Sequence, residues 1–426
     1  MNVPHNGSSH PSFPSFREVP RTGVIYVMAR AQERGFYYRN PEWSNLGQGA
    51  PETGLLADAP ERLHEIVLAE ETHEYGPVMG LTELRAAVAE LYNQRYRRGK
   101  ASQYTVDNVA ISSGGRLGLT RVAAALGNIH LGHFLPDYTA YEELLGLFRA
   151  FVPIPILLKR DEAFGFDVDR LYRDVVGQGL GGVLMSNPCN PTGQVLFGDD
   201  LARWVEIGRQ HQCAQIYDEF YSHYIYDELA QNQPSLSAAA HVDDVNKDPV
   251  IIIDGLTKNW RYPGLRLSWT VGPAEIIRRI GSAGSFLDGG APHALQKAVL
   301  PLINQEFADA EARAIQKHFR HKRMNMIERL GEMGFRIKSI PKGAFYLFAS
   351  LESLPEPLRD GMAFFEAALQ HKVITVPGVF FDVNPGQRRS HMPSRLTNFV
   401  RLSYGPNEDE LDLGLGRLAK MIADYR

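Results

Sequence analysis

A lysine follows an apolar run in the segment LTKNWRYPGLRLSW, which extends from residue 256 to residue 269. Lys258 precedes a Pro-Gly turn, and Arg266 comes eight residues after the lysine, where the next apolar run begins. A lysine amine forms a covalent imine with an aldehyde when burial or neighbouring charges lower its pKa. An arginine on the following strand could hold a phosphate at the same place. Each residue alone is more often a surface residue beside a turn, so the pair needs support from the rest of the chain.

Four other sites place small or polar residues after apolar runs. The turn SSGGR, residues 112–116, has the small residues that let backbone N–H groups at a helix N-terminus contact a phosphate. Asp218 ends the run CAQIY, where a buried carboxylate could pair with a protonated ring nitrogen. Asn190, in the stiff loop NPCNPTG, could donate its amide to a ring oxygen, and Tyr138 could stack on a ring. The alternatives are an ordinary turn, a helix cap and a packed aromatic side chain, each of which is commoner for a single site.

Together these sites describe one ligand, which has a phosphate, a cationic ring nitrogen, a ring oxygen, a flat face and an aldehyde. Pyridoxal 5′-phosphate has all five features. The sequence therefore predicts a site for this cofactor, with Lys258 as the amine that binds its aldehyde.

The elements that must position these residues follow a repeating pattern. Short apolar runs alternate with stretches of helical periodicity such as Leu81–Arg95, Tyr138–Phe151 and Leu201–His211, which is typical of a parallel-rich sheet covered on both faces. Ligands of such sheets bind beyond the carboxyl ends of the strands, where five of the runs deliver their polar residues. The predicted strands are the runs at 109–112, 133–135, 152–157, 182–185, 214–217, 250–253 and 267–271.

The pattern changes after Ala291. A long helix-compatible stretch broken only by Pro301 leads to three short strand-like runs and a last helix from about Asn407, which is typical of a smaller α+β domain. We expect four parts along the chain: a flexible arm over 1–16, an N-terminal segment joining the small domain over 17–60, a large cofactor-binding domain over 61–300, and the small C-terminal domain over 301–426.

Composition narrows the possible partners. The 426 residues carry a net charge of -4, and 44 % of them are hydrophobic, so neither nucleic acid nor a membrane is expected to bind. The two cysteines, Cys189 and Cys213, form neither a disulfide framework nor a zinc set, and no bound metal is predicted. The first residues lack the pattern of a signal peptide, so we expect the protein in the cytoplasm.

The chain resembles the fold-type I pyridoxal-phosphate enzymes of the class I and II aminotransferase family, from SNLGQGAP at 44–51 to FVRLSYG at 399–405. Its most specific segments are NPCNPTG, YDEFY and the spacing from Lys258 to Arg266. The resemblance implies a large α/β domain with a mostly parallel seven-stranded sheet flanked by helices, and a smaller α+β domain. It also implies a homodimer that moves an amino group from an L-amino acid to a 2-oxo acid by a ping-pong Schiff-base reaction.

The resemblance further assigns roles to single residues. Lys258 and Asp218 would be catalytic, while Gly49, Asn190 and Arg401 would bind the substrate, Arg401 through the α-carboxylate. Tyr75 would reach the cofactor phosphate in the partner subunit. Asn190, Asp218 and Lys258 would also contact the cofactor, together with Ser113, Gly114, Gly115, Arg116, Tyr138, Tyr221, Thr257 and Arg266.

Some residues depart from the family pattern or invite another interpretation. Gly255 stands where relatives often have a serine that binds the phosphate, and Thr257 or a water would have to replace that contact. Arg116 stands where relatives often have a smaller or amide side chain, and it would either add charge near the phosphate or extend into solvent. Cys189 and His223 are interpreted as packing residues rather than catalytic ones.

The alternatives to amino transfer are a lyase, a cyclising synthase or a decarboxylase that uses the same cofactor, because a fold does not determine the reaction. A non-catalytic regulator of this fold would need an added basic DNA-binding domain, for which the segment before residue 17 is too short. A nicotinamide site at LGQGAPETG lacks the preceding strand that the motif requires. Side-chain specificity is left open, although an arginine at the pocket would favour a dicarboxylate.

Overall fold

The structure is a computed structural model that describes residues 15, 16, 19 and 23–426. Most of the predicted flexible arm, residues 1–14, lies outside the described residues. The strands of the described part are β1 Ser44–Asn45, β2 Val109–Ser112, β3 His130–Leu135, β4 Val152–Leu157, β5 Leu180–Ser186, β6 Ala214–Asp218, β7 Val250–Gly255, β8 Ser268–Val271, β9 Tyr346–Ser350, β10 Val373–Ile374, β11 Val376–Pro377 and β12 Phe399–Ser403.

Helices follow most strands of the first half and dominate the second. None of the helices in the described part of the chain is long and apolar enough to cross a membrane. The α-helices are α1 Gly23–Glu33, α2 Thr82–Tyr96, α3 Gly115–Ala125, α4 Ala140–Leu147, α5 Val168–Gln178, α6 Gly198–His211, α7 Glu228–Asn232, α8 Ala274–Leu287, α9 His293–Ala298, α10 Gln305–Met333, α11 Gly361–Gln370 and α12 Glu408–Asp424.

Seven strands form one sheet in the order β2-β8-β7-β6-β5-β3-β4. β8 runs antiparallel to both of its neighbours, and the other neighbouring pairs are parallel. The seven predicted runs are confirmed as these strands, and the mostly parallel α/β fold is confirmed with them. Because helices cover both faces, even a central strand such as β7 is buried along its whole length.

The C-terminal part contains smaller sheets. β12 pairs antiparallel with β9 and β11, and β1 pairs parallel with β10, so residues 44–45 reach the elements that follow α10. The long predicted helical stretch is divided into α9, a 3₁₀ turn at Leu300–Leu302 and α10, because Pro301 cannot continue a helix.

One predicted helix is shorter than its pattern suggested. The stretch from residue 138 to residue 151 forms a helix only over Ala140–Leu147, and Phe148 is extended. A side chain at Gly146 would meet the backbone of Gly386, so this end of α4 lies against a loop that the periodicity could not reveal.

Candidate active site

The loop after β7 positions Lys258. Leu256 N donates to Leu267 O, and Leu256 O accepts from Tyr262 N. Within the loop, Arg261 N donates to Lys258 O over 2.9 Å. The hydroxyl of Tyr224 also donates to Lys258 O, over 3.0 Å. The side chain of Lys258 is half-buried, and its Nζ donates to the carbonyl of Gly49, which lies on the N-terminal segment.

The amine of Lys258 lies in a positive field. Burial lowers its pKa to about 7, and the charges of Arg266, Arg401 and Arg116 act in the same direction, while Asp218 opposes them. A lysine with this pKa is substantially uncharged at neutral pH, which is the form that attacks an aldehyde.

Asp218 ends β6 and lies at the carboxyl rim of the sheet, only 5 % exposed. Its Oδ2 accepts a 2.9 Å hydrogen bond from the hydroxyl of Tyr141. Burial raises the pKa of Asp218 to about 6, and the Tyr141 hydrogen bond lowers it, as does the charge of Lys258. A buried carboxylate of this kind is suited to a cationic partner such as a protonated ring nitrogen.

The turn between β2 and α3 provides an anion cradle. Gly114 has φ +93° and is the N-cap of α3, and no side chain caps the amides of that helix end. A Cβ at Gly114 would strike the guanidinium of Arg266, and a Cβ at Gly115 would strike the ring of Phe220. The small residues therefore let a helix N-terminus and an arginine approach the same space, as a phosphate requires.

Arg401 lies on β12 at 1 % exposure. Its Nη1 donates to Asn190 Oδ1 over 2.9 Å, and its Nη2 donates to the carbonyl of Gly47 over 2.8 Å. Its Nε is buried with no hydrogen-bond partner among the described residues. A buried guanidinium edge without a partner indicates a place for an anionic oxygen.

Aromatic side chains enclose the remaining sides. The ring of Tyr346 lies 4.2 Å below the Arg401 guanidinium carbon, and its hydroxyl is 2.9 Å from the hydroxyl of Tyr221. The hydroxyl of Tyr138 accepts from both Nε and Nη2 of Arg116, so the guanidinium of this exposed arginine is bound beside the Tyr138 ring.

Close packing, which the sequence did not reveal, explains why residue 255 is a glycine. A Cβ at this position would lie 2.5 Å from Ser268 Cα and 2.6 Å from Leu267 O, because β7 and β8 are closely paired there. A serine therefore does not fit in this chain. Ser268 instead places its hydroxyl 2.8 Å from that of Ser112, beneath the phosphate cradle.

Other predicted residues fall into two groups. Ser113 is near the cradle, with its hydroxyl directed to Gly290 O at 3.5 Å, and Thr257 is half-buried beside Lys258. Tyr75, in contrast, is fully exposed within this chain and is not brought to the site. Its predicted role across a subunit boundary stays a prediction.

The packing interpretation of His223 and Cys189 agrees with the structure. Both ring nitrogens of His223 have partners, the carbonyl of Asn259 at 2.8 Å and Arg95 Nη1 at 2.9 Å, and burial holds its pKa well below the usual value. Burial raises the pKa of the Cys189 thiol to about 12, so the thiol is inert.

Sequence reasoning missed two residues of the site, Tyr141 and Tyr346. Tyr141 lies three residues after Tyr138, a spacing that puts both rings on one side of a helical turn, and their ring centroids are 5.5 Å apart. Tyr346 lies in the aromatic-rich run FYLF at 345–348, and its contact with Arg401 follows neither from the run nor from the strand register, which places Phe348 opposite Arg401.

These residues fit pyridoxal 5′-phosphate. The cradle at Gly114 suits a phosphate, Asp218 suits a ring cation, and the unpartnered Arg401 Nε suits a substrate carboxylate. Lys258 stands among them with a lowered pKa.

Comparisons with known proteins agree with this assignment. Residues 41–418 match the family model described as aminotransferase class I and II. A probable N-succinyldiaminopimelate aminotransferase DapC of Mycobacterium tuberculosis is 29 % identical over 391 residues, which cover 88 % of this chain and 91 % of that protein. An aspartate aminotransferase of Pyrococcus abyssi is 25 % identical over 90 % of this chain and 92 % of its own length.

The fold has counterparts among solved structures. A single mutant of Thermus thermophilus aspartate aminotransferase superposes with a TM-score of 0.76 at 23 % identity, covering 97 % of this chain and all of that one. A crystal structure of an aminotransferase from Mycobacterium tuberculosis gives the same TM-score at 22 % identity, over 98 % of this chain. At these identities the likeness shows the fold alone.

Proposed function

This chain belongs to the aminotransferase class I and II family, and we propose that Lys258, Asp218 and Arg401 are the residues that carry its chemistry. The protein is an aminotransferase that depends on pyridoxal 5′-phosphate and transfers an amino group between an amino acid and a 2-oxo acid. When bound, the cofactor supplies an aldehyde for the amino group and a cationic ring that withdraws electrons from the bonds at Cα.

Lys258 binds the cofactor aldehyde and moves the substrate proton. Its lowered pKa gives a free amine near neutral pH, and its Nζ is held by the carbonyl of Gly49 at the mouth of the site. With the cofactor bound, the free amine of Lys258 would take the proton from substrate Cα and deliver it to the former aldehyde carbon of the cofactor.

Asp218 keeps the ring nitrogen protonated. Its carboxylate is oriented by the hydroxyl of Tyr141 and has no cation in hydrogen-bond contact among the described residues. Asn190 and Tyr221 bind the ring oxygen, Tyr138 stacks on the ring, and the phosphate is held by a group of small residues and cations: Ser113, Gly114, Gly115, Arg116, Thr257 and Arg266.

Arg401 orients the substrate. Its Nη1 and Nη2 are fixed by Asn190 and Gly47, which leaves Nε for a carboxylate oxygen. A carboxylate held at this edge fixes which bond at Cα is presented to Lys258, and orientation of this kind is what selects proton removal over loss of the carboxylate. The unpartnered Arg401 Nε, buried at 1 % exposure, is the observation that carries the assignment.

The half-reaction tests this function directly. Purified holoprotein mixed with an amino acid and no 2-oxo acid is expected to release about one equivalent of 2-oxo acid per site and no free ammonia, because the nitrogen stays on the protein-bound cofactor. Continuous release of ammonia would instead indicate an elimination lyase, and release of carbon dioxide a decarboxylase.

The substrate is an amino acid with an acidic side chain. Arg266 is assigned to the phosphate and Arg401 to the α-carboxylate, which leaves Arg116, at the edge of the phosphate site and bound to the Tyr138 hydroxyl, as the cation for a side-chain carboxylate. Curated relatives named as aspartate aminotransferases support the same choice. The ratio of kcat/KM for aspartate or glutamate over alanine should reach about fivefold, since an ion pair with an exposed arginine contributes up to about 1 kcal/mol.

The working form is a cytoplasmic homodimer in which Tyr75 of the partner subunit completes each phosphate site. Tyr75 is fully exposed in the single chain, and an apolar stretch close to it, Ile66–Leu68, is exposed as well. Light scattering should give twice the mass of the 47.7 kDa chain. Each chain has a cofactor-binding domain over 61–300, and its segment 17–60 joins the small domain over 301–426. The pairing of β1 with β10 supports this division.

A further inference from the structure

One stretch of the N-terminal segment, residues 46–54, contacts both key cations of the site. The carbonyl of Gly47 accepts from Arg401 Nη2 over 2.8 Å, and the carbonyl of Gly49 accepts from Lys258 Nζ. Ser403 N donates to Leu46 O over 2.7 Å, which joins the stretch to β12. The positions of the catalytic amine and of the carboxylate-binding guanidinium therefore depend on the same piece of backbone.

Arg261 fixes the far end of this stretch. Its Nη1 donates to the carbonyls of Glu52 and Gly54, over 3.2 Å and 2.6 Å. The residue lies three positions after Lys258, is 0 % exposed and has a backbone φ of 54°. A non-glycine residue in this conformation is held by its surroundings, so the loop that carries Lys258 and the segment that meets it are locked through one side chain.

Glu311 of α10 orients that side chain. Its Oε1 accepts from Arg261 Nε over 2.7 Å and from Arg62 Nη1 over 3.3 Å. Arg62 also donates to the carbonyls of Trp260 and Arg261, over 2.9 Å and 2.8 Å. These contacts orient the Arg261 guanidinium through Nε and Nη1, whereas Arg261 Nη2 and Glu311 Oε2 are buried without a hydrogen-bond partner among the described residues.

We propose that Arg261 is a positioning residue of the aminotransferase site, which, held by Glu311, fixes residues 46–54 so that the Gly47 and Gly49 carbonyls keep Arg401 and Lys258 in place for the substrate. The inference rests on the proposed role of Arg401 in binding the substrate carboxylate. Arg261 itself does not touch the substrate.

Lysine cannot substitute for Arg261 in this arrangement. The guanidinium donates from Nε to Glu311 and from Nη1 to the carbonyls of Glu52 and Gly54. A lysine ammonium has one nitrogen and cannot donate to both groups in these fixed directions. Arg261→Lys therefore keeps the charge and loses the geometry. Glu311→Gln keeps the shape and loses the charge that orients Arg261, so it should act in the same direction.

Arg97 provides a matched control. It is also 0 % exposed, and its guanidinium also donates to backbone carbonyls, those of Ser102, Ala239 and Val242. These carbonyls lie in segments that contribute no residue to the site. Arg97→Lys removes a buried guanidinium with comparable hydrogen bonds to backbone carbonyls, and it should lower the melting temperature without changing the substrate site.

The experiment compares the three variants with wild type as holoproteins. The equilibrium Kd for an α-methyl amino acid, which binds but has no proton at Cα to lose, is measured together with KM, kcat and the melting temperature. For Arg261→Lys and Glu311→Gln, Kd and KM should rise about tenfold, the effect of misplacing one charge-assisted contact. The double variant should lose no more than the worse single one, because both act on one contact chain.

Two outcomes would overturn the inference. The first is a folded Arg261→Lys protein with the Kd of wild type, and the second is an equal rise in Arg97→Lys, which would indicate a general loss of stability. Failure of the proposed function is distinguishable, because it would appear as absent half-transamination in wild type, whereas the inference is judged by Kd differences between variants.

Discussion

Two groups of charged residues in this protein differ in how they are paired. In the paired network, Arg261 Nε lies 2.7 Å from Glu311 Oε1, and Lys322 Nζ lies 2.6 Å from Glu52 Oε1. In the cation cluster, defined by Lys258, Arg116, Arg266 and Arg401, no member forms an ion pair with another described residue. Each cation of the paired network has a carboxylate partner within the protein, whereas the cations of the cation cluster have none among the described residues.

This difference separates structural charge from functional charge. A buried charge without a partner costs stability, so a protein keeps one only where a ligand supplies the missing partner. The cation cluster has room for several anionic groups, which fits a phosphate and the carboxylates of the substrate. Breaking the cation cluster should therefore impair chemistry, whereas breaking the paired network should lower stability and, at Arg261 and Glu311, also displace the residues that position the site.

The largest contrast is expected between Lys258 of the cation cluster and Lys322 of the paired network. Lys258→Ala should lower kcat by about 10⁴-fold, because both the anchoring amine and the proton carrier are lost. Its melting temperature should not fall, since the amine has no ion-pair partner among the described residues. Lys322→Met should instead cost about 1 kcal/mol of unfolding free energy and retain turnover, because it removes the Lys322–Glu52 ion pair while His318 still contacts Glu52, whose side chain is 20 % exposed. Calorimetry and steady-state rates on both variants check the pair; equal losses of activity would contradict it.

Arg401→Lys should reduce kcat/KM by about 10²-fold for every amino acid substrate. A lysine lacks the planar guanidinium that donates in fixed directions to Asn190, to the carbonyl of Gly47 and to a substrate carboxylate. The measurement is kcat/KM for an amino acid and for the matching amine that lacks the carboxylate. The variant should lose the preference for the amino acid over the amine. A preserved preference would show that the carboxylate binds at a residue other than Arg401.

Tyr141→Phe should reduce kcat at pH 7 by about tenfold, the value of one hydrogen bond to a charged group. The Tyr141 hydroxyl lowers the pKa of Asp218, which burial raises to about 6. Without it the carboxyl is protonated at higher pH, so the acidic limb of the pH–rate profile should move upward. Tyr217→Phe is the control, because its buried hydroxyl donates to Gln215 Oε1 at 3.0 Å, away from the site. A profile that moves in both variants or in neither would contradict the role of Tyr141.

The smallest effect is expected at Arg116, whose charge helps to lower the pKa of Lys258 to about 7. Cofactor-free protein should capture pyridoxal 5′-phosphate slowly below pH 7 and faster above it, because only the uncharged amine attacks the aldehyde. Arg116→Gln should raise that pKa and slow capture about threefold at pH 7, an effect limited by solvent exposure of the arginine. Arg279→Gln, an exposed arginine on α8, serves as control. An unchanged midpoint of the pH profile would remove Arg116 from the cation cluster.

Much of the fold could be predicted because the strands are short apolar runs with turn residues at fixed distances. Asp218, Asn190 and Lys258 each follow such a run, so their arrival at one rim is a consequence of parallel topology. The shortened α4 could not be predicted, because its end depends on a loop about 240 residues away in the chain.

The partners of the site residues were the harder part. No local pattern connects Arg401 with Gly47, Lys258 with Gly49, or Arg261 with Glu311, because each pair is separated by a large part of the chain. Gly255 shows the same limit. The family comparison suggested a missing phosphate contact, but the close pairing of β7 and β8 explains the glycine by packing.

The central claim is that the cation cluster surrounds an aldehyde cofactor tethered to one amine. Borohydride reduction of the holoprotein followed by peptide mass spectrometry tests it most directly, since reduction makes the imine bond permanent. We predict one pyridoxyl-phosphate mass per chain, on the peptide that contains Lys258, and none after Lys258→Ala. A label on another lysine, or no label on a protein that still transfers amino groups, would contradict the claim.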